Sequence, residues 1–319
     1  MIQCLELHYR HRKHQKEIAK ALGLSSSKVS RLLKRAFAEG WIRVELDLPQ
    51  NPRLEASLVE RFGLRDAVVI PAGSEGELRR DLGAAAARYF ERVAANGISV
   101  GLSCGFTLYQ TIHQLRERRF RNLSLFPLSA ESTLKLVDLF PNTLVGMMAA
   151  KYRPHVTAYA LPAQLPGAPQ QIEAERRRLL KNQEIRRIYD GAQDVQISLV
   201  GIGMIGEDTP GFCSLAESYG VSVKTLKALG VVGEINYQPF DAQGTLTERR
   251  ELRRLTRRVL AVSAVRLREM SGSYGKYVIA VAGGKQKLEA ILGALRGHFM
   301  NVLVTDEDTA LALVDSGPP

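Results

Sequence analysis

A strand-like run empties into Gly101-Leu102-Ser103-Cys104-Gly105-Phe106-Thr107, and a helix-like pattern follows. Small residues let backbone N–H groups converge, the hydroxyls of Ser103 and Thr107 add donors, and a helix N-terminus adds partial positive charge. That spacing predicts a cradle for a phosphate. The same residues spell G-x-S-x-G in the strand–turn–helix setting of a hydrolase nucleophile elbow. That chemistry needs an acid and then a histidine further along. Of the downstream histidines, His113 lies on the elbow's own helix, His298 precedes a strand, and His155 is the third. No HGGG-like oxyanion loop lies upstream. A plain structural turn is the remaining reading.

Three further strand-end loops carry residues of interest. Gly201, Gly203 and Gly206 match G-x-G-x-x-G, the dinucleotide fingerprint, which requires a helix to open at its third glycine. Glu207-Asp208-Thr209-Pro210-Gly211 follows instead, resisting a helix and placing acids where a pyrophosphate would sit. These glycines are expected to line a pocket floor or simply to turn. In the next loop Gly283-Gly284 precedes Lys285 and Lys287 at a helix start, a poor place for a cation unless an anion is there too. A lysine meeting a ligand phosphate therefore stands beside an ordinary solvated lysine. In the fourth loop Thr305 with Asp308 fits a capping box, a structural role.

A second chemistry is concentrated near the N-terminus. QKEIAKALGLSSSKVSRLLKRAFAEGWIRV reads as two short helices around a tight turn, then a small β-wing at Trp41, Ile42, Val44 and Leu46. Ile18, Ala19 and Leu22 form one apolar face, Gly23 ends the first helix, Leu24 plugs the turn, and Ser25 or Ser26 caps the second. Val29, Leu32, Leu33 and Ala36 point inward. Gln15, Ser25, Ser26, Ser27, Lys28, Ser30, Arg31 and Lys34 are the candidates for meeting the bases and phosphates of a DNA major groove. An αα-hairpin with a solvated basic face is the alternative. The charge agrees with DNA. The chain of 319 residues carries a formal +11, and residues 10–43 hold ten Lys/Arg against Glu17 and Glu39, a net +8. Such a concentration is the footprint of phosphate-backbone binding. The basic runs Arg176–Arg178 and Arg249–Arg258 read as solvated faces or subunit contacts.

The elements that would position these loops alternate. Strands are expected at Ala67–Pro71, Ser99–Ser103, Leu123–Leu128, Thr157–Leu161, Val195–Gly201, Val259–Val262, Tyr277–Val281 and Asn301–Val304. Helical patterns occupy Leu78–Ala94, Thr107–Leu115, Ile172–Tyr189, Leu288–Leu295 and Glu307–Val314. Alternation of this kind means βαβ units and a mainly parallel sheet covered on both faces, with ligands at the carboxyl ends of its strands. The fold class is thus α/β: a winged helix-turn-helix head at 1–48, a linker at 49–63 opened by Pro49-Gln50-Asn51-Pro52 and carrying the helix Leu54–Phe62, and a larger doubly wound domain at 64–319. Cys4, Cys104 and Cys213 share no metal spacing and cannot all pair, which fits a reducing compartment and argues against a metal. No apolar run approaches the ~20 residues that span a bilayer, and no signal-peptide pattern is present. A soluble, cytoplasmic chain is expected, with no membrane partner and no cofactor.

QKEIAKALGLSSSKVSRLLKRA, LVERFGL, VGLSCGFTL, LVGIG, FDAQG, VAGGKQKLEAILGAL and NVLVTDEDTA, in this order, resemble the SorC-type (SorC/DeoR) sugar-binding transcriptional regulators over nearly the whole chain. The resemblance implies an effector domain similar to sugar-phosphate isomerases and CoA-transferase-like proteins, a phosphorylated sugar as effector, and a homodimer or homotetramer on a palindromic DNA operator. Carried over, Ser103, Gly105 and Thr107 would hold the effector phosphate, Lys287 of AGG-x-x-K, which includes Gly284, would approach it, and Asp241 of PFDAQG would face sugar hydroxyls. The sugar would lie between this loop, Gly203 and Asp241. Two departures stand out. The family usually has an aromatic residue where Cys104 stands, and a glycine pair where this chain reads SAESTLKLVDLFPNT. Cys104 is then either a reactive thiol or a small buried filler.

The alternative is an enzyme, a sugar-phosphate isomerase or deaminase with a DNA-binding appendage, or else a serine hydrolase using Ser103. The first needs a positioned general base. Asp241 and Glu131 are the only candidates for that base placed in loops, and nothing pairs them. A regulator keeps the phosphate cradle without that requirement and is the preferred reading.

Overall fold

The computed structural model describes residues 1–39, 41, 51–118, 120–130, 137–162, 165, 170–207, 209, 211–247 and 249–316. Apart from Trp41, the expected wing lies outside the described residues, as do Pro49 and Gln50 of the hinge, Glu131, and residues 132–136. The chain forms two compact units, Met1–Leu48 and Pro49–Pro319.

In the first unit a short N-terminal helix, Ile2–Leu5, runs on as a wider helical turn, Glu6–Arg10. Helices Gln15–Leu22 and Ser26–Ala38 follow. Glu17 reaches back to the His14 N–H at 2.7 Å, Gly23 takes the left-handed C-cap conformation, and Ser25 Oγ accepts from Lys28 N. These local bonds satisfy helix-end groups that would otherwise face each other unpaired in the turn. Cys4, Ile18, Ala19, Val29 and Leu33 form the small core.

The second unit is built on seven strands: β1 (Asp66–Ile70), β2 (Ser99–Leu102), β3 (Leu123–Pro127), β4 (Val156–Ala158), β5 (Ile197–Gly201) and, after an insertion, β9 (Tyr277–Val281) and β10 (Val302–Asp306). The insertion holds β6 (Gly203–Met204), β7 (Gly233–Ile235) and β8 (Gln238–Phe240), an antiparallel sheet of its own. The large sheet has the order β1-β10-β9-β5-β2-β3-β4, and every pairing is parallel. Alternate residues feed opposite faces, as the two-residue period of a strand requires. Val278 and Ala280 join one core, Ile279 and Val281 the other. From β2 the chain winds to β3 and β4; from β5 it winds the opposite way, to β9 and β10. The switch between β2 and β5 opens a crevice at their carboxyl ends.

Several expectations change. The single helix Ile172–Tyr189 is two, Ile172–Lys181 and Gln183–Ala192, broken where Asn182 turns out of the helix and caps the second through Glu184 N and Ile185 N. Val259–Val262 forms no strand and makes only an isolated bridge, Ala261 to Ser129. Asn51 and Pro52 do not act as a hinge. Asn51 caps the helix Pro52–Phe62, and Pro52 sits in its first turn, where a missing N–H costs nothing. That helix is not a free linker: Leu54, Leu58 and Phe62 are buried in the core of the second unit, and Asn51 donates to Glu307 at 3.0 Å.

Candidate functional site

The crevice at the switch point is a cavity of about 170 Å³. β2 delivers Ser103–Thr107, β5 delivers Gly201–Met204, and β9 delivers Gly283, Gln286 and Lys287. Leu78 and Arg79 come from the helix Glu75–Val93, and Glu234 and Asn236 from the small sheet.

The cradle forms where the loop predicts it. Gly105 stands at φ +131°, which admits no side chain without strain, and turns the chain into the helix Phe106–Gln114. That helix has no side-chain cap, so its first-turn N–H groups remain available to a ligand. Thr107 is half-buried at its start. Ser103 behaves differently. Its N–H is spent on Leu199 O at 3.0 Å, and its hydroxyl donates to Asn236 Oδ1 at 3.1 Å. Asn236 in turn donates to Leu128 O at 2.9 Å and Val262 O at 2.7 Å. Ser103 therefore braces the cavity wall, and no histidine is among the described residues that line it. The dinucleotide fingerprint fails. Gly203–Met204 pairs with β7, and the next helix opens only at Phe212.

Two ionisable groups stand at the back, Glu234 buried and Lys287 half-buried. Lys287 donates to Ile202 O at 2.9 Å. Burial, with Arg79 close by, pulls its ammonium down to about 8, against a smaller upward pull from Glu234. Burial pushes the Glu234 carboxyl up to about 7, although the backbone N–H of Tyr237, Lys287 and the N–H of Phe212 all favour its charged form. Gly203 is a glycine because a Cβ there would lie 2.5 Å from Glu234 Oε1. Arg79 lies at the rim, its guanidinium 5.0 Å over the Phe106 ring, and it makes no ion pair to a described residue. Cys104, half-buried in the cavity lining, has its thiol pushed up to about 12, by burial first and Glu234 second.

Two expected effector contacts are not at the cavity. Asp241 turns on itself after β8. Its Oδ1 accepts from Gln243 N at 3.0 Å and Thr245 N at 2.8 Å, the self-satisfied turn that aspartate forms readily. Gly284 is spent as well, its N–H on Asp306 Oδ2 at 2.7 Å and Thr309 Oγ1 at 2.9 Å. Gly283 and Gln286 line the cavity instead. The cap of the last helix is Asp306, which accepts from Thr309 N, whereas Thr305 is buried in β10. Arg79, Glu234 and Asn236 were not legible as site residues in the sequence.

Of the candidate DNA contacts, Gln15 opens the helix Gln15–Leu22, Ser25 caps the helix Ser26–Ala38, and the others lie on that second helix. Gln15, Ser25, Ser26, Ser27, Lys28, Arg31 and Lys34 are exposed, and Ser30 is half-buried. Lys28, Arg31 and Lys34 make no ion pair to a described residue, whereas Arg35 is taken by Glu39 at 2.6 Å. Ser25 is engaged in its capping bond.

Residues 48–315 match the sugar-binding domain family (Sugar-bind), and residues 2–39 match sigma-70 region 4. The chain is similar to the deoxyribonucleoside regulator of Bacillus subtilis, 27% identical over 98% of this chain and 96% of that one. It is 30% identical to the erythritol catabolism regulatory protein EryD of Brucella abortus, over 94% and 91% of the two chains. The crystal structure of the full-length sorbitol operon regulator SorC of Klebsiella pneumoniae superposes with a TM-score of 0.71 at 28% identity, covering 98% of both chains.

Proposed function

Because the chain belongs to the SorC/DeoR-type sugar-binding transcriptional regulators, we propose that it binds a DNA operator through the helix Ser26–Ala38 and that a phosphorylated sugar in the switch-point cavity controls that binding. The observation that carries the effector reading is the convergence, in one cavity, of an uncapped helix N-terminus at Gly105–Thr107 with the cations of Lys287 and Arg79. A phosphate is the anion that fits converging N–H donors and two positive side chains. Glu234 beside Gly203 supplies the acceptor for sugar hydroxyls in place of Asp241.

The isomerase or deaminase reading is less well supported. Asp241 is committed to its own turn, and Glu234 is held by backbone N–H groups with no second carboxylate or histidine lining the cavity. In a regulator of this design two recognition helices, one from each protomer, would read half-sites of a palindromic operator. Among the described residues no helix is long and apolar enough to cross a membrane.

The test is a thermal-shift panel of pentose and hexose phosphates against the same sugars unphosphorylated. A ligand at 100 times its Kd stabilises by about 2.7 kcal/mol. The phosphorylated members should shift the transition, their free sugars should not, and the active member should alter affinity for a duplex selected by the protein from a random library. Turnover of any sugar phosphate, or equal shifts from free sugars, would overturn this reading.

A further inference from the structure

Within the second unit, outside the effector cavity, a groove of about 330 Å³ is lined by Gln170, Ile172, Glu173 and four arginines, Arg250, Arg253, Arg254 and Arg257. The arginines follow the spacing i, i+3, i+4, i+7 and so share one helical face. Leu252 and Leu255, buried in the core at 0% and 3% exposure, fix the opposite side of the helix Arg250–Thr256 and aim that face outward. Four like-charged pairs at i,i+3 and i,i+4 oppose a helix. The one lining carboxylate, Glu173, places its Oε2 3.4 Å from Arg257 Nη1. Arg250 and Arg254 make no ion pair to a described residue. Four forked guanidiniums facing one hollow are built for oxygens carried in pairs, as on phosphate groups. The run spans about 10 Å at 1.5 Å per residue. That length suits two or three linked phosphates rather than a long polymer.

We propose that this groove is a second anion site, distinct from the effector cavity, for a small molecule carrying two or more phosphate groups. It lies beside a further hollow with which it shares Glu173 and Arg257, and that hollow reaches Asn236, the residue that braces the effector cavity from its other side.

The probe is inorganic tripolyphosphate, titrated calorimetrically at fixed ionic strength into the full chain carrying K287Q. One saturable site per chain is expected. Its affinity should fall at least tenfold when R250Q and R254Q are added. Both substitutions are at exposed positions, and an unchanged circular dichroism spectrum checks the fold. No saturable site in the K287Q protein, or the same affinity in the triple variant, overturns the proposal. If the triple variant instead weakens only duplex DNA binding, the face belongs to nucleic acid and the proposal fails. K287Q serves only to weaken the cavity on the proposed reading, and the loss on adding R250Q and R254Q, both outside the cavity lining, is read independently of it.

Discussion

Replacing Lys287 with methionine should stabilise the unliganded protein near neutral pH and abolish its response to a sugar phosphate. The ammonium is held against Ile202 O in a setting that lowers its pKa from 10.5 to about 8. A base whose folded pKa lies below its unfolded value contributes its stability in full above about pH 10.5 and loses it as pH falls through 8. Carrying the charge at pH 7 therefore costs about 3 kcal/mol at ~1.36 kcal/mol per pKa unit. Part of the side chain reaches solvent, so a screened value of about 2 kcal/mol is the better working figure. The lost hydrogen bond to Ile202 O gives back about 1 kcal/mol, leaving the variant about 1 kcal/mol more stable at pH 7. At pH 10.5 the wild-type lysine is largely neutral in the folded state, and chiefly the hydrogen bond separates the two proteins, so the variant should be the less stable of the two by a similar amount. Urea unfolding of both proteins at the two pH values reads the difference directly, and other titrations cancel in the comparison. A variant that is destabilised equally at both pH values would show that Lys287 is not held as a desolvated cation, and the argument for its role at the phosphate would go with it.

Arg31→Ala together with Lys28→Ala should weaken operator binding and reduce the slope of log affinity against log salt by about one for each phosphate no longer neutralised, measured by fluorescence anisotropy across a salt series. Asn236→Ala removes the acceptor of Ser103 and the donors to Leu128 O and Val262 O in a fully enclosed site. With about 1–3 kcal/mol for each buried group left unpaired, a loss of at least 3 kcal/mol in denaturant unfolding is expected, and a loss under 1 kcal/mol would show that the brace is dispensable. Cys104, its thiol pushed up to about 12 by burial, should resist alkylation at pH 8 in the folded protein and react in urea; rapid labelling of the native chain would contradict the environment described for it. A chain shortened to begin at Pro49 should remain oligomeric by light scattering if the larger unit carries the assembly contacts, and a monomer would assign them to the head.

The parts legible in the sequence were those with local signals. Small residues between a strand and a helix announce the Gly101–Thr107 loop, and a glycine after an amphipathic octet announces the turn at Gly23, since both constraints act over a few bonds. The residues that complete the cavity come from far along the chain. Glu234 and Asn236 sit on strands and a turn of two or three residues, too short for any two-residue period to register. Arg79 lies in a charged first turn, with Glu77, Arg80 and Asp81, that reads as a solvated surface. Asp241 misled for the opposite reason. Asp-Ala-Gln-Gly carries an aspartate's own turn signal, and the backbone took the carboxylate before a ligand had any claim on it. The shift of the last cap from Thr305 to Asp306 is a one-residue slip at a helix boundary, where sequence signals are least sharp.

The cavity is assembled at a thermodynamic disadvantage in its empty state. Glu234 is raised to about 7 and Lys287 lowered to about 8, so each is held away from its preferred charge, and no ion pair within 4 Å joins these two described residues to relieve both. A folded protein gains nothing from that arrangement, and well-packed apolar residues would serve its core better. On the proposed reading the ligand recovers that cost: an anion at Lys287 would restore the preference for the charged amine, and hydroxyls at Glu234 would solvate the carboxylate that burial had stripped. Because the cavity stands where the sheet reverses its winding, the segments that line it leave β2, β5 and β9 and lead toward separate parts of the unit. A ligand that satisfies both charges at once therefore ties together elements that the connectivity otherwise leaves independent. That differential stabilisation is what a binding event must supply if it is to move any conformational equilibrium at all.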